Sequence, residues 1–295
     1  MADVFYAVAV TGGPAALKVF RAAGGGPAAR REYQLSRAVA ADCTAPVLGY
    51  GASAAGAYLV MAYLPGYRCG TTLMGSSMPA EGLWRFGAEL ARLLTALHAR
   101  GVVHCDVKPS NLLVRDHDVR VIDFGISRFV GEPAGEDGTV QCSPGWAAPE
   151  QLRAVPLTPA VDVFAWGCVL AYLAGGVHPF AAGGGPEWFL RVQSAEPVLS
   201  GLPPDLRHVV RWSLARDSRD RPSAAELAVI CRARGGGSPP GVRTVRGRQP
   251  VGGRPPAGPG SSRIGACGDL VADRRRRVAA RALVQTRSAP EGVRP

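Results

Sequence analysis

Residues 104–114 read HCDVKPSNLLV, a polar loop that passes into a strand-like apolar run. Asp106 is followed by Lys108 and Asn111, and Pro109 stiffens the backbone between them. Further on, Ile122 leads into Asp123-Phe124-Gly125, and Ala148-Pro149-Glu150 closes the segment after it. Each piece alone is weak, because an aspartate in a polar loop is usually a solvated turn residue. In this order they supply what phosphoryl transfer requires: a base for a hydroxyl proton, hard oxygen ligands for Mg²⁺, and cations for phosphates.

Working outward, the flanking segments read as a small β-rich unit followed by a helical one. Val4, Tyr6 and Val8 alternate with their neighbours, Gly12-Gly13-Pro14 turns the chain, and Ala16 to Phe20 forms a second apolar run, so residues 4–20 predict a β-hairpin. Pro27 to Ala40 reads as a helix with Tyr33, Leu35 and Val39 on its apolar face. Strands are expected at Val47–Tyr50 and Ala57–Tyr63, and at Val102–His104, Leu112–Val114 and Val119–Ile122 around the polar loop. Leucines spaced by three and four predict a helix over 79–100, ended by Gly101. Helices are also expected over 161–174, 188–193, 206–214 and 224–232, the last opened by a Ser223/Glu226 capping box. The resulting expectation is an α+β chain with units at 1–66 and 67–233.

Composition narrows the classes. Of 34 basic residues only Lys18 and Lys108 are lysines, so each is expected where a compact ammonium is needed and a planar guanidinium cannot serve. Residues 234–295 carry 13 Arg against 3 acidic residues, or +10 of the formal +11, which leaves the rest nearly neutral and gives no reason to assign it to nucleic acid. This Gly/Pro/Ser/Arg-rich tail has no aromatic residue and reads as disordered, with a weak helix conceivable over 269–285. Its Arg274–Arg277 run supports a weak contact with an anionic membrane or nucleic acid as a third functional reading. No apolar stretch is long enough to span a membrane, no signal peptide is evident, and seven scattered cysteines without C-x-x-C spacing argue against zinc or a disulfide framework; the chain reads as cytoplasmic.

Taken together, strand lysine, catalytic loop, Asp-Phe-Gly and Ala-Pro-Glu resemble the eukaryotic-type (Hanks-type) Ser/Thr protein kinases of bacteria over residues 1–233. The resemblance implies a two-lobed kinase-like fold that takes ATP and Mg²⁺ and phosphorylates Ser/Thr of a protein substrate. It makes Asp106 the catalytic base, Lys108 a partner of the transferring phosphate, and Asn111 and Asp123 the metal ligands. Lys18 takes the position of the lysine on the α/β-phosphates and Glu32 that of its partner, although the interval between them is short for the family. Met61, Ala62 and Leu64 resemble the adenine-binding hinge, with Met61 as gatekeeper. In the activation segment Thr139 is a candidate phosphosite, Ser143 the substrate-positioning hydroxyl, and Glu150 and Arg221 the ion pair that holds its end. Asp162 would brace the catalytic loop.

Two departures qualify the resemblance. Cys105 stands where the family has an arginine, which implies little dependence on activation-loop phosphate and leaves open a redox role with Cys142. The glycine-rich loop that covers ATP phosphates is missing, and Met1–Phe5 resembles the tail of that motif, so Met1 is expected to be an internal methionine of a longer frame. The alternative reading is a pseudokinase, a nucleotide-responsive binding module with little catalysis; it is opposed by the joint presence of Lys18, Asp106, Lys108, Asn111 and Asp123.

Overall fold

The computed structural model describes residues 2–9, 12–21, 25–53, 56–74, 78–132, 142–153, 155, 157–180 and 187–235. The predicted hairpin forms from β1 (Ala2–Val8) and β2 (Pro14–Phe20), in antiparallel register from Ala2↔Phe20 to Val8↔Pro14. Strand β2 pairs on its other side with β4 (Gly56–Ala62), and β4 with β3 (Val47–Ser53), giving the order β1-β2-β4-β3. Strand β3 runs three residues beyond the predicted Tyr50, because pairing with β4 down to Ser53↔Gly56 carries Gly51 and Ala52, which have little strand preference of their own.

Helix α1 (Gly25–Ala38) lies against this sheet. It starts two residues before the predicted Pro27, which the first turn accepts because amides there have no intrahelical acceptor. Its inward face is Ala29, Glu32, Leu35 and Ser36, so a glutamate sits among positions that otherwise read as packing. Leu59 and Met61 on β4 point inward with Ala45, and Phe20, Tyr33, Leu64 and Ile122 pack on them.

The second lobe begins with β5 (Arg68–Cys69) and α2 (Ala80–His98). Strand β6 (Val102–Val103) precedes the polar loop; β7 (Leu112–Arg115) and β8 (Asp118–Val121) form a hairpin after it; and β9 (Arg128–Phe129) returns to pair with β6. Then come α3 (Ala160–Gly175), α4 (Glu187–Ser194), α5 (Pro204–Ser213) and α6 (Ala224–Arg234). Helix α3 is buried on nearly all sides and forms the lobe's axis, with the Trp166 indole donating to Gly87 O at 2.9 Å. Gly167 lets α5 approach this axis: a Cβ there would collide with Ser213 Oγ and stand 2.9 Å from Leu214 Cγ. The Ser223/Glu226 capping box forms as the sequence predicts.

No described helix is long and apolar enough to cross a membrane. The tail from 236 onward, with its Arg run and the weak helix expected over 269–285, lies outside the described residues, as does Thr139.

Candidate active site

The polar loop is held from below by one carboxylate. Asp162, fully buried at the start of α3, accepts the backbone amides of His104 and Cys105, both at 2.8 Å, and also meets His98 Nε2 at 2.9 Å. These bonds stabilise a backbone that L residues rarely adopt, with Cys105 at φ +63°. Gln151 adds a bond from its amide to Cys105 O at 2.9 Å, and Ser127 donates to His104 O at 2.8 Å. His104 Nδ1 accepts from Asp106 N at 3.3 Å, so its Nε2 carries the proton shared with Ile122 O at 3.2 Å.

On this platform Asp106, Lys108, Asn111 and Ser143 come together. Asn111 Nδ2 donates to Asp106 O at 2.9 Å and Oδ2 at 2.8 Å, and Lys108 Nζ lies 2.9 Å from the same Oδ2. Lys108 also donates to Ser143 Oγ, which ties the loop to the segment ending at Glu150. Asp106 Oδ1 is left: it is buried and has no hydrogen-bond partner among the described residues. An unpaired buried carboxylate oxygen is costly, and a donor that reaches it removes that cost.

The second cluster spans the lobes. Lys18 Nζ, on β2, meets both oxygens of Glu32 and Asp123 Oδ1, each at 2.7 Å. Glu32 reaches Lys18 although only 14 residues separate them, because α1 lays its buried face directly on the sheet. Burial alone would lower the Lys18 pKa, but the Glu32 and Asp123 carboxylates outweigh it and hold the ammonium above its usual range. Burial would likewise raise Asp123, and the Lys18 charge with the Gly125 amide holds it below the usual carboxylate range. Asp123 sits at φ +70°, the second strained non-glycine position at the cleft.

These groups fit a hard divalent cation. The bonds from Asn111 Nδ2 to Asp106 orient the amide and turn its oxygen into the atom that could coordinate a cation, while the Asp123 carboxylate uses Oδ1 for Lys18 and Gly125. Among the described residues no cluster of three His, Cys, Asp or Glu could hold a metal. Two protein oxygens completed by phosphate oxygens is the arrangement Mg²⁺ commonly takes.

Met61 lies on β4 opposite Ala16 and Val47, Ala62 closes the strand with its amide on Pro46 O at 2.8 Å, and Leu64 follows beyond the ladder. Glu150 and Arg221 form a bidentate pair at 2.6 and 2.8 Å, and the other Arg221 donors go to the carbonyls of Ala160, Ala215 and Arg216. Sequence reasoning missed Gln151, His98 and Ser127, whose roles arise from partners far along the chain and leave no local pattern. All six cysteines among the described residues are free. Burial, reinforced by Asp162, pushes the Cys105 thiol far above its usual range, and burial with Asp106 raises that of Cys142, so both are held as thiols and weakly nucleophilic.

Near this segment, His178 stacks edge-on against Trp146 with ring centroids 4.9 Å apart, and its Nδ1 accepts from Phe180 N at 3.2 Å. Its Nε2 is buried without a partner among the described residues, and burial lowers its pKa from 6.5 to about 4. Since the folded form resists protonation, the stability it confers is complete above the unfolded value and is lost as the pH falls from 6.5 to about 4. The loss amounts to about 3 kcal/mol at 1.36 kcal/mol per unit. Thermal melts at pH 7 and pH 4.5 are expected to show a smaller shift for His178→Asn than for the parent; equal shifts would contradict the buried neutral imidazole.

The chain belongs to the protein kinase domain family, which it matches over residues 1–229. Its relatives include the probable serine/threonine-protein kinase PkwA of Thermomonospora curvata, 36% identical over 200 residues, which are 67% of this chain and 27% of that protein. The serine/threonine-protein kinase AfsK of Streptomyces coelicolor is 34% identical over 206 residues, covering 67% of this chain and 25% of AfsK. PkaA of the same organism is 38% identical over 148 residues, 48% of this chain and 27% of PkaA. The chain thus spans about a quarter of the length of these relatives.

Proposed function

We propose that the chain binds Mg·ATP between its two lobes and transfers the γ-phosphate to a serine or threonine hydroxyl of a protein. The observation that carries this reading is the division of labour on Asp106: Oδ2 is held by Asn111 and Lys108, while Oδ1 is buried and unpaired. A substrate hydroxyl donating to Oδ1 would satisfy that oxygen and stand in position to lose its proton. Lys108, already linked to Ser143, would balance charge on the transferring group and align the hydroxyl. Lys18, held by Glu32, would take the α/β-phosphates. Asp123 and Asn111 would hold Mg²⁺, which supplies charge neutralisation on the phosphates. Adenine would use the backbone past Met61 and Ala62; the Ala62 amide is taken by Pro46 O and the Leu64 carbonyl accepts the Tyr67 amide at 3.4 Å, so the Leu64 amide would be the donor to the base. In this reading residues 1–66 form the ATP-binding lobe and 67–233 the substrate lobe, and Thr139 is a phosphosite candidate.

The test is phosphotransfer from γ-labelled ATP to the chain itself and to a basic protein, with Mg²⁺ and with excess EDTA. Label on serine or threonine that disappears with EDTA is the expected result. Absence of label in both, with nucleotide still bound, would overturn the enzyme reading in favour of a binding module.

A further inference from the structure

Residue 31 precedes the glutamate that meets Lys18, yet it faces the other way along the cleft. Arg31 donates through Nη1 and Nη2 to the two carboxylate oxygens of Glu132, and Nη2 lies 3.4 Å from Ser127 O. Glu132 is itself held, because its Oε2 accepts the Phe129 amide at 3.2 Å. Phe129 and Arg128 pair with Val102 and Val103 on β6, and His104 follows directly. Ser127, the second acceptor of Arg31, bonds His104 O. A continuous set of polar contacts therefore runs from α1 to the backbone of the catalytic loop, one residue along from the Glu32–Lys18 pair.

Helix α1 packs mainly on the sheet of its own lobe, Leu35 on its inner face joins the core of the second lobe, and the Arg31–Glu132 contact adds a polar tie to that lobe from the helix's exposed face. We propose that Arg31 and Glu132 are positioning residues: their pair holds α1 against the segment after Asp123 and so keeps Glu32 on Lys18. This deepens the phosphotransfer reading and rests on it. Arg31 and Glu132 touch neither nucleotide nor hydroxyl in that reading, and they act through Glu32. Their side chains are 46% and 28% exposed, so the pair is a moderate bias on the helix position and no irreversible lock.

The test is a charge swap in the full chain. Arg31→Glu and Glu132→Arg each place like charges opposite one another, and each is expected to lower kcat about twofold to fivefold, the scale on which half-exposed charge pairs shift an equilibrium. The double variant Arg31→Glu/Glu132→Arg rebuilds the pair with reversed polarity and is expected to return to within about twofold of the parent. Hydrogen exchange of the α1 amides is read on the same four proteins: it should rise in each single variant and fall back in the swap, with α3 exchange unchanged as the control for folding. Singles with parental exchange and kcat, or a swap as impaired as either single, would overturn the proposal. Should the parent show no transfer at all, the function reading fails by itself, and α1 exchange across the four proteins still decides whether the pair positions the helix.

Discussion

Asp106→Asn is expected to abolish nearly all phosphotransfer while leaving the melting temperature close to that of the parent. The expected loss is about 10²–10⁴-fold, the usual contribution of a positioned general base. The substitution keeps shape, and its carbonyl oxygen can still accept from Asn111, so the loop geometry imposed by Asp162 through His104 and Cys105 is untouched. What disappears is the lone pair of the unpartnered oxygen, which an amide NH₂ cannot supply. Single-turnover transfer from labelled ATP, with nucleotide affinity measured in parallel, checks the expectation. A variant that transfers at the parental rate would remove Asp106 from the role of base.

The second large effect concerns stability. Arg221→Ala should lower the unfolding free energy by about 3–5 kcal/mol, because it leaves Glu150 as an uncompensated charge in a buried position. The Arg221 side chain is fully buried, and its hydrogen bonds go to Glu150 and to the carbonyls of Ala160, Ala215 and Arg216. Its guanidinium also lies 4.9 Å from the centre of the Phe164 ring, so packing is lost with the charge. Arg221→Lys should recover only part of the loss, since a single ammonium cannot reproduce the two-point contact with the carboxylate. Urea unfolding of the three proteins, compared at equal slope, provides the measurement. If Arg221→Ala unfolds at the parental midpoint, the pair contributes nothing to holding the segment's end.

Much of this architecture was readable from local patterns. The helix over 79–100 follows from leucines at spacings of three and four, and the structure forms it from Ala80 to His98. The capping box at Ser223 and the hairpin around Gly12-Gly13 were readable for the same reason: the groups that interact are within a few residues of one another. The two-residue strands β5 and β9 were not, because each exists only by pairing with a segment 25 or more residues away and has no periodicity of its own. The candidate site divides in the same way. Asp106, Lys108 and Asn111 share one short loop, and their proximity is built into the chain. The contacts of Gln151 with Cys105 and of Arg31 with Glu132 span 46 and 101 residues, and no local pattern marks them.

By itself the sequence determined the membership of this chain in its family, the residue types offered to a phosphate and a cation, and the order in which they come. Those properties depend on chemistry and short spacing, which a linear chain carries without folding. Only the tertiary structure decided that Glu32, on a helix whose other inward residues are small or apolar, meets Lys18, that one oxygen of Asp106 is left unpaired, and that Arg31 bridges the lobes. Each depends on where packing brings distant backbones together, since burial and the count of remaining hydrogen-bond partners arise only once the core has formed.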